Sequence, residues 1–218
     1  MADVFREGRD LHTETAAGVL GKTVDFTKFP EYGLSDDDRQ IGKKLNFSIV
    51  YGGGVPTLVK RLGITSSEAM DLLRGYHGTW PGIGWASKKR DADPGTLLHS
   101  IKNRVETRGY ITTLYGRHLH PRSMHSALNA LCQGCAADLM KWAMVETHRQ
   151  LTQSGLASHI VNMVHDELIL DCAESELVYL TNNLPDWMTD ERIESVVPIR
   201  PGCDVSFTTW ADKEKVNV

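Results

Sequence analysis

Between Ser35 and Gly54 the sequence SDDDRQIGKKLNFSIVYGGG writes out a helix together with both of its ends. Ser35 suits an N-cap, where its hydroxyl accepts from an amide of the first turn. Asp36, Asp37 and Asp38 fill that turn, where carboxylates complement the positive end of the helix dipole. Gly52 to Gly54 end the helix, because glycine tolerates the left-handed conformation that follows a last turn. Inside these limits Arg39, Lys43, Phe47 and Tyr51 recur at every fourth position. Residues four apart advance about 40° beyond a full turn, so the four form a slowly spiralling stripe. Two cations near the amide-rich end and two rings further along match the charge order of a nucleoside triphosphate. An amphipathic helix with buried aromatics and solvated cations has the same spacing.

The surrounding pattern is helical at first and mixed later. Helices are predicted over Arg9 to Leu20, over TSSEAMDLLRGYHGTW with Thr65 or Ser66 as cap, and over Ile83 to Arg108 with a break at Asp93-Pro94-Gly95. GYITTLYGRHLH is β-branched and aromatic around Tyr115-Gly116, which predicts a hairpin. SALNALCQGCAADLMKWAMVETHRQL carries apolar residues at three- and four-residue steps and predicts a long helix. HIVNMVHDELILDC reads as strand, tight turn, strand, with His165, Asp166 and Glu167 between two apolar runs. An amphipathic helix over ESELVYLTNNLPDWM and a last extended segment, VVPIRPGCDVSFTTW, follow. Helices first, then strands mixed with helices, favour an α+β fold over alternating βαβ units.

A carboxylate-bearing turn between strands suits Mg²⁺, and it equally suits a turn that only needs polar residues. One such turn cannot supply a whole two-metal site. The 218-residue chain has a net charge of −4, yet its charge is unevenly spread. Eight cations and three anions lie between Trp85 and Arg122, against ten acidic and four basic residues from Asp171 onward. That asymmetry suggests one surface facing a polyanion, or a solvated basic face. Four cysteines without disulfide-framework spacing, a charged start without a signal segment and no apolar run of membrane length lead to an expected cytoplasmic protein. Cys132 and Cys135 read as packing residues, because no second pair completes a zinc site. His118, His120 and His125 form a loose cluster about the hairpin, too few ligands for a metal site of their own, and the five tryptophans read as core.

RQIGKKLNFSIVYG resembles the fingers-helix motif of family A DNA polymerases, and VHDEL resembles that family's palm motif. GRDLHTETA, YHGTWPG, LYGRHLHPRSMHSALNALCQGCAADLM and VSFTTW fall in the family's order, so the resemblance covers nearly the whole chain. It implies a helical fingers region over residues 1–109 and the C-terminal part of a palm with an antiparallel sheet over 110–218. It implies template-directed DNA synthesis with Mg²⁺ as cofactor and primer-template DNA and dNTP as partners. By that resemblance Arg39, Lys43 and His12 contact the triphosphate, and Lys43 protonates the leaving pyrophosphate. Phe47 packs on the nucleotide's sugar and base, and Tyr51 stacks near the templating position. Asn129 and Gln133 face the DNA minor groove, Arg117 and His125 also contact DNA, and His165 touches the primer end. Asp166 is a metal ligand and Glu167 a weaker one.

Two departures stand out. Histidine at position 125, where bacterial members commonly have arginine, points to the bacteriophage branch. The family's other palm aspartate belongs shortly before GRDLHTETA, and Met1 to Glu7 do not contain its motif. The expectation is therefore a polymerase divided in two, with an N-terminal polypeptide supplying the missing palm motif and a thumb. A remnant that holds nucleotide or DNA without chemistry is the alternative. An unrelated Mg²⁺-dependent phosphohydrolase fits the six matching stretches poorly.

Overall fold

The computed structural model describes residues 1–25, 33–84, 94–199 and 201–216. They fall into two compact units, Met1–Gly134 and Cys135–Val218. The first holds α1 (Ala2–Arg6), α2 (Leu11–Leu20), α3 (Asp36–Val50), α4 (Val55–Leu62), α5 (Ser66–Thr79), a 3₁₀ turn at Pro81–Ile83, α6 (Leu97–Arg108), and the pair β1 (Ile111–Thr112) and β2 (His118–Leu119). Helix α7 (Met124–Gln153) begins in it. The second unit holds the rest of α7, β3 (His159–Val164), β4 (Glu167–Asp171), α8 (Leu177–Trp187), α9 (Glu191–Glu194), β5 (Cys203–Val205) and β6 (Glu214–Val216). The strands form three separate antiparallel pairs, β1–β2, β3–β4 and β5–β6. The fold is α+β and mostly helical. These units divide the chain by packing, at Gly134, whereas the fingers and palm regions expected from the sequence divide it by role, at residue 109.

Local chemistry sets the helix ends. The Ser35 hydroxyl accepts from the Asp38 amide at 3.1 Å, and the Asp38 carboxylate accepts from the Ser35 amide at 3.2 Å, a reciprocal capping box. Thr65 and Glu68 repeat the device at α5, at 3.3 and 2.8 Å. Helix α2 starts two residues later than its apolar pattern suggests, because Asp10 is its N-cap and accepts from the Thr13 amide at 2.8 Å. Helix α6 starts at Leu97, after Gly95 takes φ +82°. The expected helix start at Ile83 runs into residues 85–93, which lie outside the described residues, as do the cations Lys88, Lys89 and Arg90.

The apolar side of α3 builds the first core. Leu45 and Ile49 are buried with Leu58 of α4 and Ala69, Leu73 and Tyr76 of α5. Helix α2 lies against α3 so closely that a Cβ on Gly42 would stand 2.1 Å from the His12 carbonyl oxygen. A second cluster joins Ile101, Ile111, Ala127 and Leu128. It leaves Cys132 outside; that residue is exposed and Cys135 is half-buried, so the expected packing role fails for Cys132. The tryptophans meet the expectation of core only in part: Trp80 packs against the first core. None of the four described, Trp80, Trp142, Trp187 and Trp210, is fully buried, and Trp210 is 55% exposed. The indole N–H of Trp80 donates to the buried Thr15 hydroxyl, and that of Trp210 to Glu167. Among the described residues no helix is long and apolar enough to cross a membrane.

Candidate active site

Packing of Leu45 and Ile49 into the core turns the opposite side of α3 outward. Phe47 is 44% exposed and Tyr51 50% exposed, so the stripe is not a set of buried aromatics. Their rings stack with centroids 6.4 Å apart, and the His12 ring lies 6.0 Å from Phe47. Lys43 is half-buried and, among the described residues, has no ion-pair partner. Arg39 is held: its Nε and Nη2 each donate to the Asp10 carboxylate at 2.9 Å. A two-point guanidinium–carboxylate contact fixes orientation as well as distance. Asp10 thus caps α2 and grips α3 at once. The unit brings His12, Arg39, Lys43, Phe47 and Tyr51 together on the packed α2–α3 pair.

Two titratable groups here depart from ordinary behaviour. Partial burial would raise the Asp10 carboxyl, but hydrogen bonds from Arg39 and Thr13 outweigh it and hold it below its usual 3.8. Burial lowers the His12 imidazole below its usual range, opposed by Asp10 and reinforced by the positive charges of Arg39 and Lys43, which favours the neutral ring. The Asp10 shift fixes a sign. With its folded pKa below the unfolded one, the Asp10 carboxylate stabilises the fold above the unfolded value, and that stability is lost as pH falls through the folded value. Asp10→Asn is expected to flatten the acid limb of a denaturation-versus-pH curve below about pH 4.5. An unchanged acid limb would remove the pair from the stability of α2 and α3.

In the second unit, β3 and β4 pair from His159↔Asp171 to Val164↔Glu167, with a bulge at Val161 between Ile160 and Asn162. The connection is two residues, His165 and Asp166, and His165 takes φ +55°. A positive φ at the first position is the sign that lets a two-residue turn match strand twist. Glu176 pins the base of the hairpin by accepting from the amides of Ala157 at 2.8 Å and Ser158 at 2.9 Å. His165 and Asp166 are exposed at its tip, and the Asp166 carboxylate has no partner among the described residues. Glu167 differs: its Oε1 accepts from Lys213 Nζ at 2.8 Å and Trp210 Nε1 at 3.0 Å. Those bonds, Lys213 first, hold the Glu167 carboxyl below its ordinary value. Lys213 also lies 3.7 Å from Asp204.

These donors fit part of a magnesium site. Mg²⁺ prefers oxygen ligands and is commonly held by one or two carboxylates, with substrate phosphates and water completing the shell. Asp166 offers a solvent-facing carboxylate, and Glu167 has one oxygen outside its contacts with Lys213 and Trp210. Among the described residues no group of three or more His, Cys, Asp and Glu could hold a metal ion.

The residues expected at DNA are distributed as follows. Gln133 is exposed on α7, and Asn129 is half-buried with its Oδ1 unpaired among the described residues. Arg117 is exposed after the turn that joins β1 to β2, and its Nη2 donates to the Gly134 carbonyl at 3.0 Å. His118 stacks on Tyr110 with centroids 4.0 Å apart, and His120 Nδ1 lies 3.1 Å from the Gly109 carbonyl. The His125 side chain lies outside the described residues. Asp10, Asn46, Trp210 and Lys213 were not legible as site residues, since each acts through a contact distant in sequence.

Comparison with known proteins decides the family. The profile of DNA polymerase family A matches residues 1–212. The chain belongs to DNA polymerase family A. DNA polymerase I of Pseudomonas aeruginosa is 32% identical over 188 residues, which is 80% of this chain and 18% of that protein. DNA polymerase I of Geobacillus stearothermophilus is 30% identical over 227 residues, 97% of this chain and 23% of that protein. Among solved structures, the POL domain of Pol1 from M. smegmatis, in complex with DNA primer-template and dNTP, superposes with a TM-score of 0.70. Identity there is 25%, over 86% of this chain and 32% of that one. This family A chain therefore spans about a fifth of the length of the curated relatives it matches.

Proposed function

We propose that the chain provides the incoming-nucleotide site and one catalytic carboxylate turn of a template-directed DNA polymerase. The observation that carries this is the outward stripe of α3, where two exposed aromatic rings continue a line of cations next to His12. A protein that only needed an amphipathic helix would bury those rings. In this reading Arg39, Lys43 and His12 bind the triphosphate. Lys43 donates a proton to the departing pyrophosphate. Phe47 packs on the sugar and base, and Tyr51 limits the space of the nascent pair. Asn129 and Gln133 bind minor-groove acceptors, which all correct pairs share. Arg117, His125 and His165 hold the primer-template. Asp166, with Glu167, is the candidate holder of Mg²⁺, which when bound stabilises charge on the attacking and leaving oxygens of phosphoryl transfer.

The remaining metal ligands and a thumb come from polypeptide beyond these 218 residues, on the same chain or another. Two features support this: the missing third ligand among the described residues, and exposed apolar side chains in the second unit. Val161 and Met163 on β3, Val178 on α8 and Phe207 are all open to solvent. Unpaired strand edges with apolar side chains call for cover. The cover would be a palm strand bearing the second aspartate. His125 supports a place on the bacteriophage branch, and the cytoplasm, of a host if viral, is the setting. The same missing ligand also favours a second reading, a nucleotide- or DNA-binding remnant without chemistry.

Primer extension separates the readings. The 218-residue chain alone is expected to show no template-directed synthesis with Mg²⁺, and adding the N-terminal polymerase segment of a relative is expected to restore it. No extension by any such mixture would favour the remnant. Extension by the chain alone would show that its own carboxylates suffice.

Position 47 offers a finer test. A phenyl ring has no hydroxyl, so the nucleotide's own 3′-OH helps to order the triphosphate. Phe47→Tyr in the assembled enzyme is expected to relax discrimination against dideoxynucleotides by roughly tenfold or more, the worth of one good hydrogen bond. An unchanged incorporation ratio would contradict this placement of Phe47. Lys43→Ala is expected to slow both nucleotide types by roughly 10²-fold.

A further inference from the structure

We propose, resting on the nucleotide reading above, that Asn46 and Thr15 are positioning residues which hold His12 as the tautomer protonated on Nε2, so that the ring offers an N–H donor to a phosphate oxygen. The directions of the hydrogen bonds follow from atoms that can only donate or only accept, together with the Asn46 amide orientation, which places its nitrogen nearer Thr15 and towards His12. Trp80 Nε1 can only donate, and it lies 3.0 Å from Thr15 Oγ1. The Leu11 carbonyl can only accept, and it lies 2.8 Å from the same hydroxyl. A hydroxyl has one proton, and here Leu11 takes it. Thr15 Oγ1 then has only a lone pair for its third partner, Asn46.

The Asn46 amide nitrogen, 3.0 Å from that oxygen, therefore donates to Thr15. The contact of the hydroxyl with Asn46 Oδ1, at 3.2 Å, is the longer one. The same amide nitrogen lies 3.1 Å from His12 Nδ1 and donates its second hydrogen there. An Nδ1 that accepts carries no proton, so the proton of a neutral ring sits on Nε2. Asn46 is 6% exposed and Thr15 fully buried, which keeps water from competing for either.

The network ties together three elements, with Trp80 just past α5, Asn46 on α3 and Thr15 on α2. It ends at a ring that faces the stripe, 6.0 Å from Phe47. Nε2 has no hydrogen-bond partner among the described residues. Burial and the charges of Arg39 and Lys43 favour the neutral ring, against the pull of Asp10. A neutral N–H donor grips a phosphate oxygen without placing a third positive charge beside those two. The tautomer is thus set from inside the fold before any ligand arrives.

The test is nitrogen NMR of the 218-residue chain with labelled histidine at pH 8, where protonated and unprotonated ring nitrogens of a neutral imidazole resonate far apart. His12→Gln identifies the His12 signals by their loss. The expected result is a His12 ring protonated on Nε2, with that nitrogen shifting when dATP is added. Thr15→Val removes the hydroxyl at nearly constant shape. It is expected to give a mixed tautomer and roughly tenfold weaker dATP binding, and Thr15→Ser is expected to restore both. A wild-type ring protonated on Nδ1 overturns the inference without any variant. So does a Thr15→Val chain with the wild-type tautomer and affinity. The expected tautomer with no dATP-dependent shift would overturn the phosphate-donor role and the nucleotide reading, while the network itself would stand.

Discussion

Replacing Asp166 with asparagine abolishes primer extension in the assembled polymerase and leaves primer-template binding nearly intact: that is the expected result. Asp166 sits at the tip of the β3–β4 hairpin, exposed and without a partner among the described residues. Its carboxylate stabilises nothing nearby that the fold needs, so an isosteric amide leaves the hairpin as it is. An amide has lost the negative charge that a hard divalent cation requires. Groups placed to stabilise charge in the transition state are worth about 10²–10³-fold each, and a charged metal ligand stands at or above that upper figure. Glu167→Gln is expected to cost less. One Glu167 oxygen is already committed to Lys213 and Trp210, which a neutral side chain partly retains. Single-turnover extension and gel-shift binding on the same preparations measure both quantities. Extension by Asp166→Asn within a few-fold of wild type would remove it from the catalytic site.

Gly42→Ala is expected to destabilise the first unit and weaken nucleotide binding with it. Alanine ordinarily favours a helix over glycine by about 1 kcal/mol. At Gly42 the new methyl would stand 2.1 Å from the His12 carbonyl oxygen and 2.9 Å from the Ala16 amide nitrogen. Both are backbone atoms, so no rotamer change relieves the contact and α2 must move away from α3. Forcing atoms into packed space costs about 1–3 kcal/mol and sometimes more. The net loss should therefore be roughly 2 kcal/mol, read as a lower urea midpoint. The movement would also separate Asp10 from Arg39 and His12 from Asn46, so the binding loss should exceed the stability loss. Gly78→Ala is the control. It lies within α5, and a Cβ there meets nothing within 4 Å. It should stabilise by about 0.4–1 kcal/mol. A Gly42→Ala chain as stable as wild type would mean that α2 and α3 are not held at this separation.

What the sequence determined by itself lies within a few residues along the chain. The Ser35 and Thr65 caps, the glycine after α3, the hairpin around Tyr115-Gly116 and the turn at His165-Asp166 each follow from neighbours about four residues apart or fewer. The α3 stripe was legible for the same reason, because one helix period relates all four side chains. Its direction was not. Only the burial of Leu45 and Ile49 against α4 and α5 turned Phe47 and Tyr51 to solvent, where periodicity alone allowed either face. The supporting contacts were invisible because they join distant residues: Arg39 and Asp10 are 29 apart, Asn46 and His12 34, Trp80 and Thr15 65. The same holds for Trp210, which read as core until its indole was found donating to Glu167, 43 residues away. The need for glycine at position 42 comes only from the approach of α2, whose backbone leaves no room for a Cβ there. Local hydrogen bonds and periodicity are properties of a segment. Tautomers, ion pairs and close helix approach belong to the packing between segments, and tertiary structure alone decided them.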